Sequence, residues 1–118
     1  MKSSPNKIGH DAETAAINYL QQQGLTLTER NYHCRRGEID IIMDDADTLV
    51  FVEVKYRQSP RFGSASEMVT PQKQKKIITT ALHYLQQNKL EQACRFDVVA
   101  ISPDTGVEWI KSAFETDE

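Results

Sequence analysis

Apolar residues recur along this chain at two spacings, and the change of spacing divides it into elements. Between residues 9 and 23 they fall three and four apart. Ala12, Ala16, Ile17, Tyr19 and Leu20 make one arc of a helix, and Gly24 follows as its C-terminal cap. Residues 25–32 alternate weakly and suggest a first strand. Residues 38–44 and 49–56 are dense in Ile, Val and Phe, which predicts two more. Residues 59–69, with Pro60 and Gly63, read as a polar loop in which Gly63 is a candidate hinge. Thr70-Pro71 then starts a second helix, with Thr as N-cap and Pro at the first helical position. That helix runs to about Asn88. Its pattern predicts a buried stripe of Ile78, Ala81, Leu82 and Leu85, and a wet face of Lys73, Lys76, Thr80, His83 and Gln87. A fourth strand is expected over 95–101 and a fifth over 107–111, joined by the turn Ser102-Pro103-Asp104-Thr105-Gly106. Helix, three strands, helix, two strands is the order of an α/β fold, a mixed sheet flanked by helices.

The register of the second and third strands follows from their apolar faces. Ile39, Ile41 and Met43 point one way, as do Val50, Val52 and Val54 on the next strand. Putting both sets on one buried side pairs Asp44 with Leu49 across the four-residue loop Asp45-Ala46-Asp47-Thr48. Ile42 then faces Phe51, Asp40 faces Glu53, and Glu38 faces Lys55. A slip of one residue turns an apolar set to the wrong face.

This pairing sets two carboxylates opposite each other, with Cβ atoms about 4.5–5.5 Å apart, where like charges repel. Ile42 and Phe51 beside them lower the local hydration and sharpen the repulsion. A hard divalent cation is the natural remedy, because Mg²⁺ typically takes one or two carboxylates plus water and phosphate oxygens. Lys55, two residues beyond Glu53, reaches the same centre. In the first helix Glu13 falls inside the apolar arc, an expensive place for a charge without a partner. Taken alone, Glu53-x-Lys55 is an ordinary solvated strand face; its meaning comes from Asp40 across the hairpin. Glu38 is expected to partner Lys55, and Asp97, beside Phe96, to be a structural hydrogen-bonding residue.

Length and charge narrow the classes. At 118 residues the chain fits one domain, with a core over about 9–111 and an acidic tail over 112–118. The net charge of -3 excludes a globally basic nucleic-acid binder, yet Arg35, Arg36, Lys55, Arg57, Arg61, Lys73 and Lys76 crowd the middle of the chain. No apolar run approaches the roughly 20 residues of a membrane helix, and the first residues lack the apolar stretch of a signal peptide; a cytoplasmic protein is expected. Cys34 and Cys94 show no paired-ligand spacing, so they read as free thiols rather than a zinc site. His10, His33 and His83 are isolated, and there is no phosphate-binding Gly-x-x-x-x-Gly-Lys loop.

Glu13, Gly37-Glu38-Ile39-Asp40 and Val52-Glu53-Val54-Lys55 together resemble the PD-(D/E)xK nuclease superfamily, with its restriction-endonuclease-like fold. The run Arg35 to Asp40, the strand Leu49 to Lys55, Thr70-Pro71-Gln72-Lys73-Gln74 and Arg95 to Ile101 are similar to the blocks of the YraN-like family of small bacterial proteins. Ile39 stands where the superfamily often has proline. The resemblance implies an αβββαβ core and a Mg²⁺ or Mn²⁺ site at Asp40 and Glu53. It makes Lys55 the catalytic lysine and Glu13 an accessory acid. The reaction implied is phosphodiester hydrolysis in DNA rather than RNA, on branched or recombination and repair intermediates by analogy with Holliday-junction resolvases; the same analogy brings a homodimer. Arg35, Arg36, Arg57, Arg61, Lys73 and Lys76, with Gln72 and Gln74, are the candidate contacts to nucleic acid. Fold and site can outlive catalysis, so the alternative is an inactive nucleic-acid-binding module working beside a repair or recombination partner.

Overall fold

The computed structural model describes residues 5–57 and 69–116. Their order is α1 (Pro5–Gln22), β1 (Thr26–Cys34), β2 (Gly37–Asp45), β3 (Thr48–Tyr56), α2 (Pro71–Gln87), β4 (Cys94–Ser102) and β5 (Gly106–Phe114). The strands form one mixed sheet in sequence order, with β3 and β4 parallel and the other neighbours antiparallel. The expected αβββαβ core with an extra C-terminal strand is the arrangement found. Arg61, Gly63 and the rest of the expected loop before Val69 lie outside the described residues, as do Asp117 and Glu118. Strand β5 runs on to Phe114, so residues 112–114 belong to the sheet and not to a tail.

The helix ends follow local chemistry. Gly24 adopts φ 101°, and the Leu25 N–H turns back to donate to the Leu20 carbonyl at 3.0 Å, closing α1. At the start of α2, Thr70 accepts from the Lys73 N–H at 3.2 Å, as expected of an N-cap before proline.

Each face of the sheet carries one helix. Ala16, Ile17 and Leu20 of α1 pack on Ile41, Met43, Val50, Val52 and Val99. On the other side Ile77, Ala81 and Tyr84 of α2 pack on Ile42, Leu49, Phe51, Phe96 and Val98. Burial on both faces explains why β3 and β4 read as nearly unbroken apolar runs. Each fully buried aliphatic side chain contributes about 1.5–3 kcal/mol.

Three expectations need correction. The stripe of α2 is rotated: Ile77, Thr80, Ala81 and Tyr84 face the sheet, whereas Leu82 is 55% exposed. Tyr84 decides this, because its ring meets both Tyr32 and Phe51 edge-on. Thr80 joins the buried side without cost, its hydroxyl donating to the Lys76 carbonyl at 2.8 Å. The β2–β3 turn is tighter than four residues, since Asp45 pairs with Thr48 and leaves Ala46-Asp47, with Ala46 at φ 56°.

The third correction concerns Ile39, which packs with the α2 cluster and not with Ile41 and Met43. Its partner Tyr32 does the same, while Arg30, paired with Ile41, reaches α1. Between these two rungs Asn31 has φ 57°, a left-handed residue that swivels the hairpin. The swivel falls at the level of Asp40, and the site is built there.

Candidate active site

The expected register holds from Asp44–Leu49 to Ile41–Val52, and there the β2–β3 ladder ends. Asp40, one step further, replaces the next rung with its side chain: the Val54 N–H donates to Asp40 Oδ2 at 2.8 Å. This leaves Asp40 and Glu53 side by side in one cleft at the point where the strands part. Glu53 is 5% exposed. Burial first, then the charge of Glu53 and the hydrogen bond to it, push Asp40 up to about 8; the Val54 N–H opposes the shift and Glu13 adds to it. Asp40 thus holds its proton more tightly than an ordinary carboxyl, beside the negative charge of Glu53.

Two lysines answer that charge at the same oxygen. Lys55 Nζ stands 3.6 Å from Glu53 Oε2, and Lys73 Nζ, from the first turn of α2, 3.3 Å from it. Lys55 is thus paired with Glu53 and not with Glu38, which is exposed on the rim. Asp40, Glu53, Glu38, Lys73, Lys76, Gly37 and Ile77 line a cleft of about 370 Å³. Gly37, at φ 150°, is held close to α2; a Cβ there would lie 2.8 Å from the Thr80 hydroxyl. Arg35 and Arg36, both exposed, form the turn that immediately precedes Gly37.

Other candidates are placed elsewhere. Glu13 is paired with Arg30 Nε at 3.4 Å, and Arg30 also donates to the His10 carbonyl at 2.7 Å, so Glu13 acts on Asp40 through its charge and not as a contact. Among the described residues no set of three or more His, Cys, Asp or Glu side chains converges on one point. Two carboxylates remain, a donor set that suits Mg²⁺ or Mn²⁺ with water and phosphate oxygens completing the shell. Arg57 is buried and pairs with Glu108 at 2.9 Å, which takes it off the basic surface. Gln74 donates to the Val69 carbonyl at 3.0 Å and tethers the chain before α2, whereas Gln72 is exposed beside Lys73 and Lys76.

Asp97 is the other buried acid, and it is fully spent. It accepts from Arg95 Nε and Nη2 at 2.9 and 3.0 Å, Trp109 Nε1 at 2.9 Å and the Ser112 N–H at 2.9 Å. These bonds fill the irregularity between Phe96 and Val98 where β4 meets β5.

The position of Lys73 against Glu53 is what the residue pattern alone missed. The signal available was topological: parallel β3 and β4 need a crossover, and a crossover helix begins near the C-terminal end of the first strand. Glu53 and Lys55 lie at that end of β3, so the first turn of α2 arrives beside them.

Comparison with known proteins agrees with the family blocks read above. The profile of the uncharacterised protein family UPF0102 matches residues 12–101. A UPF0102 protein of Nitrosomonas europaea is 52% identical over 117 residues, covering 98% of each chain. One from Nitrosococcus oceani is 50% identical over 117 residues, with 92% of each covered, and one from Coxiella burnetii 47% over 119 residues, with 99% of each covered. The chain belongs to the UPF0102 (YraN-like) family.

Proposed function

We propose that this protein is a metal-dependent nuclease that hydrolyses phosphodiester bonds in DNA, with Asp40, Glu53 and Lys55 as its reacting centre. The observation that carries the reading is the Asp40–Glu53 pair: two neighbouring carboxyls, one of them buried, in a cleft that Lys73 and Lys76 also line. A purely structural pair would be cheaper as two apolar residues, and a solvated one would not sit under two lysines.

Asp40 and Glu53 would hold a divalent cation, which would supply Lewis acidity at the scissile phosphate. The chain's own groups do the rest. Lys55 orients the attacking water and offsets the charge that grows on the phosphoryl oxygens. Lys76, Arg35 and Arg36 hold flanking phosphates, which makes affinity fall with salt. Ile77 and Gly37 close the inner wall and limit water at the reacting bond. The substrate class we favour is a branched repair or recombination intermediate, met in the cytoplasm, with a homodimer supplying paired cuts.

The test is cleavage of labelled duplex, flap, four-way and single-stranded DNA with Mn²⁺. Lys55→Ala and Asp40→Asn should each lose at least about 100-fold in rate. Equal residual activity in Lys55→Ala marks a contaminant and ends the reading. Salt-sensitive binding without any cut, by contrast, is the signature of a binding module that has lost catalysis.

A further inference from the structure

We infer that Lys73 is an exchangeable counter-ion, holding Glu53 in the metal-free protein and passing to a substrate phosphate when a divalent cation takes its place. The inference rests on the cation site proposed above. Two ammonium groups share a single carboxylate oxygen, at 3.3 Å for Lys73 and 3.6 Å for Lys55. A cation in contact with Glu53 brings two further positive charges to the same point, and the repulsion falls on whichever ammonium can leave. Lys55 cannot leave easily. It springs from β3 where that strand is locked in the parallel ladder opposite Ala100, and its side chain is 25% exposed. Lys73 is 47% exposed and stands on the first helical turn, with a flexible four-carbon stem free to swing into the cleft.

The direction of that swing is set by the surroundings. Lys73 lines the same cleft as Lys76 and Gly37, where a phosphodiester backbone would lie. Cation binding therefore frees a phosphate-binding charge, and a bound phosphate draws Lys73 off Glu53 and so tightens the cation. The two affinities are coupled, and the coupling is reciprocal. Lys73 is in this sense a positioning residue, one that makes productive DNA binding wait for the metal.

Calorimetry with Mn²⁺, and fluorescence anisotropy with a labelled single-stranded oligonucleotide with and without Ca²⁺, test this. Lys73→Met should bind Mn²⁺ about five- to tenfold more tightly than wild type. It should bind the oligonucleotide more weakly, with little gain from Ca²⁺. Lys73→Gln, with a shorter stem, should repeat the result. Lys76→Met, in the same cleft but not on Glu53, should weaken DNA binding, keep the gain from Ca²⁺, and leave Mn²⁺ affinity within about twofold, because exposed charges are screened. Equal Mn²⁺ affinity in wild type and both Lys73 variants overturns the exchange and leaves the nuclease reading standing. No Mn²⁺ binding by wild type overturns both.

Discussion

Asp40 and Glu53 come together in one cleft one step past the last β2–β3 rung, Ile41 opposite Val52. In an ordinary hairpin that position would hold another backbone pair. Here the Val54 N–H is spent on Asp40 Oδ2 instead, so strand geometry and acid geometry are set by the same bond. Such an arrangement stores electrostatic cost at one point, and the cost appears as a pH dependence of stability.

Asp40 has its folded-state pKa raised from 3.8 to about 8, so folded chains keep a proton that unfolded chains release as pH rises between those values. Its stabilising contribution is complete below about pH 4 and is lost as the pH climbs toward 8. Asp40→Asn keeps an acceptor for Val54 and gains a fixed donor for Glu53. In chelator at pH 8 it should be more stable than wild type by about 1–3 kcal/mol, with no advantage near pH 4. Urea denaturation at both pH values measures this, and a variant weaker than wild type at pH 8 refutes it.

Asp97 should respond in the opposite sense. Four donors converge on it, including the charged Arg95. Asp97→Ala takes the common, fully buried acceptor from all four, and a loss of about 3–5 kcal/mol is expected in the same denaturation series.

Gly37→Ala puts a methyl 2.8 Å from the Thr80 hydroxyl at a φ of 150°. Backbone strain and overpacking together should cost about 1–3 kcal/mol. The turn carrying Arg35 and Arg36 should also tilt away from the cleft. Thermal denaturation and salt-dependent DNA binding report the two effects separately; a neutral change in both contradicts the close approach.

The rotated face of α2 is open to a simple contrast. Leu82→Glu, at a position 55% exposed, should change stability by no more than about 0.5 kcal/mol. Tyr84→Ala removes the ring packed on Tyr32 and Phe51 and should cost about 3–5 kcal/mol. Reversed magnitudes would mean the helix presents the other face.

Much of this was legible in the pattern of residues. Apolar faces on β2 and β3 specified the register as far as Ile41–Val52, because one slip would have turned one of the apolar sets to the opposite face. The same register brought Asp40 toward Glu53, and the Lys55 contact followed from strand alternation. The misses share a physical cause, which is that they depend on how elements meet. Ile39 changed sides through a left-handed Asn31 that no turn signal announced. Leu82 lost its place to Tyr84 because an aromatic ring found two partners on the sheet. Arg57 was drawn under β5 by Glu108, a residue 51 positions away.

The most direct measurement is calorimetric titration of Mn²⁺ at neutral pH into wild type and Asp40→Ala, each run in two buffers of different ionisation enthalpy. The account predicts binding by wild type with release of up to about one proton, as Asp40 gives up its proton, and loss of that binding in a variant that remains folded. Undiminished Mn²⁺ binding by Asp40→Ala, or none by wild type, contradicts it.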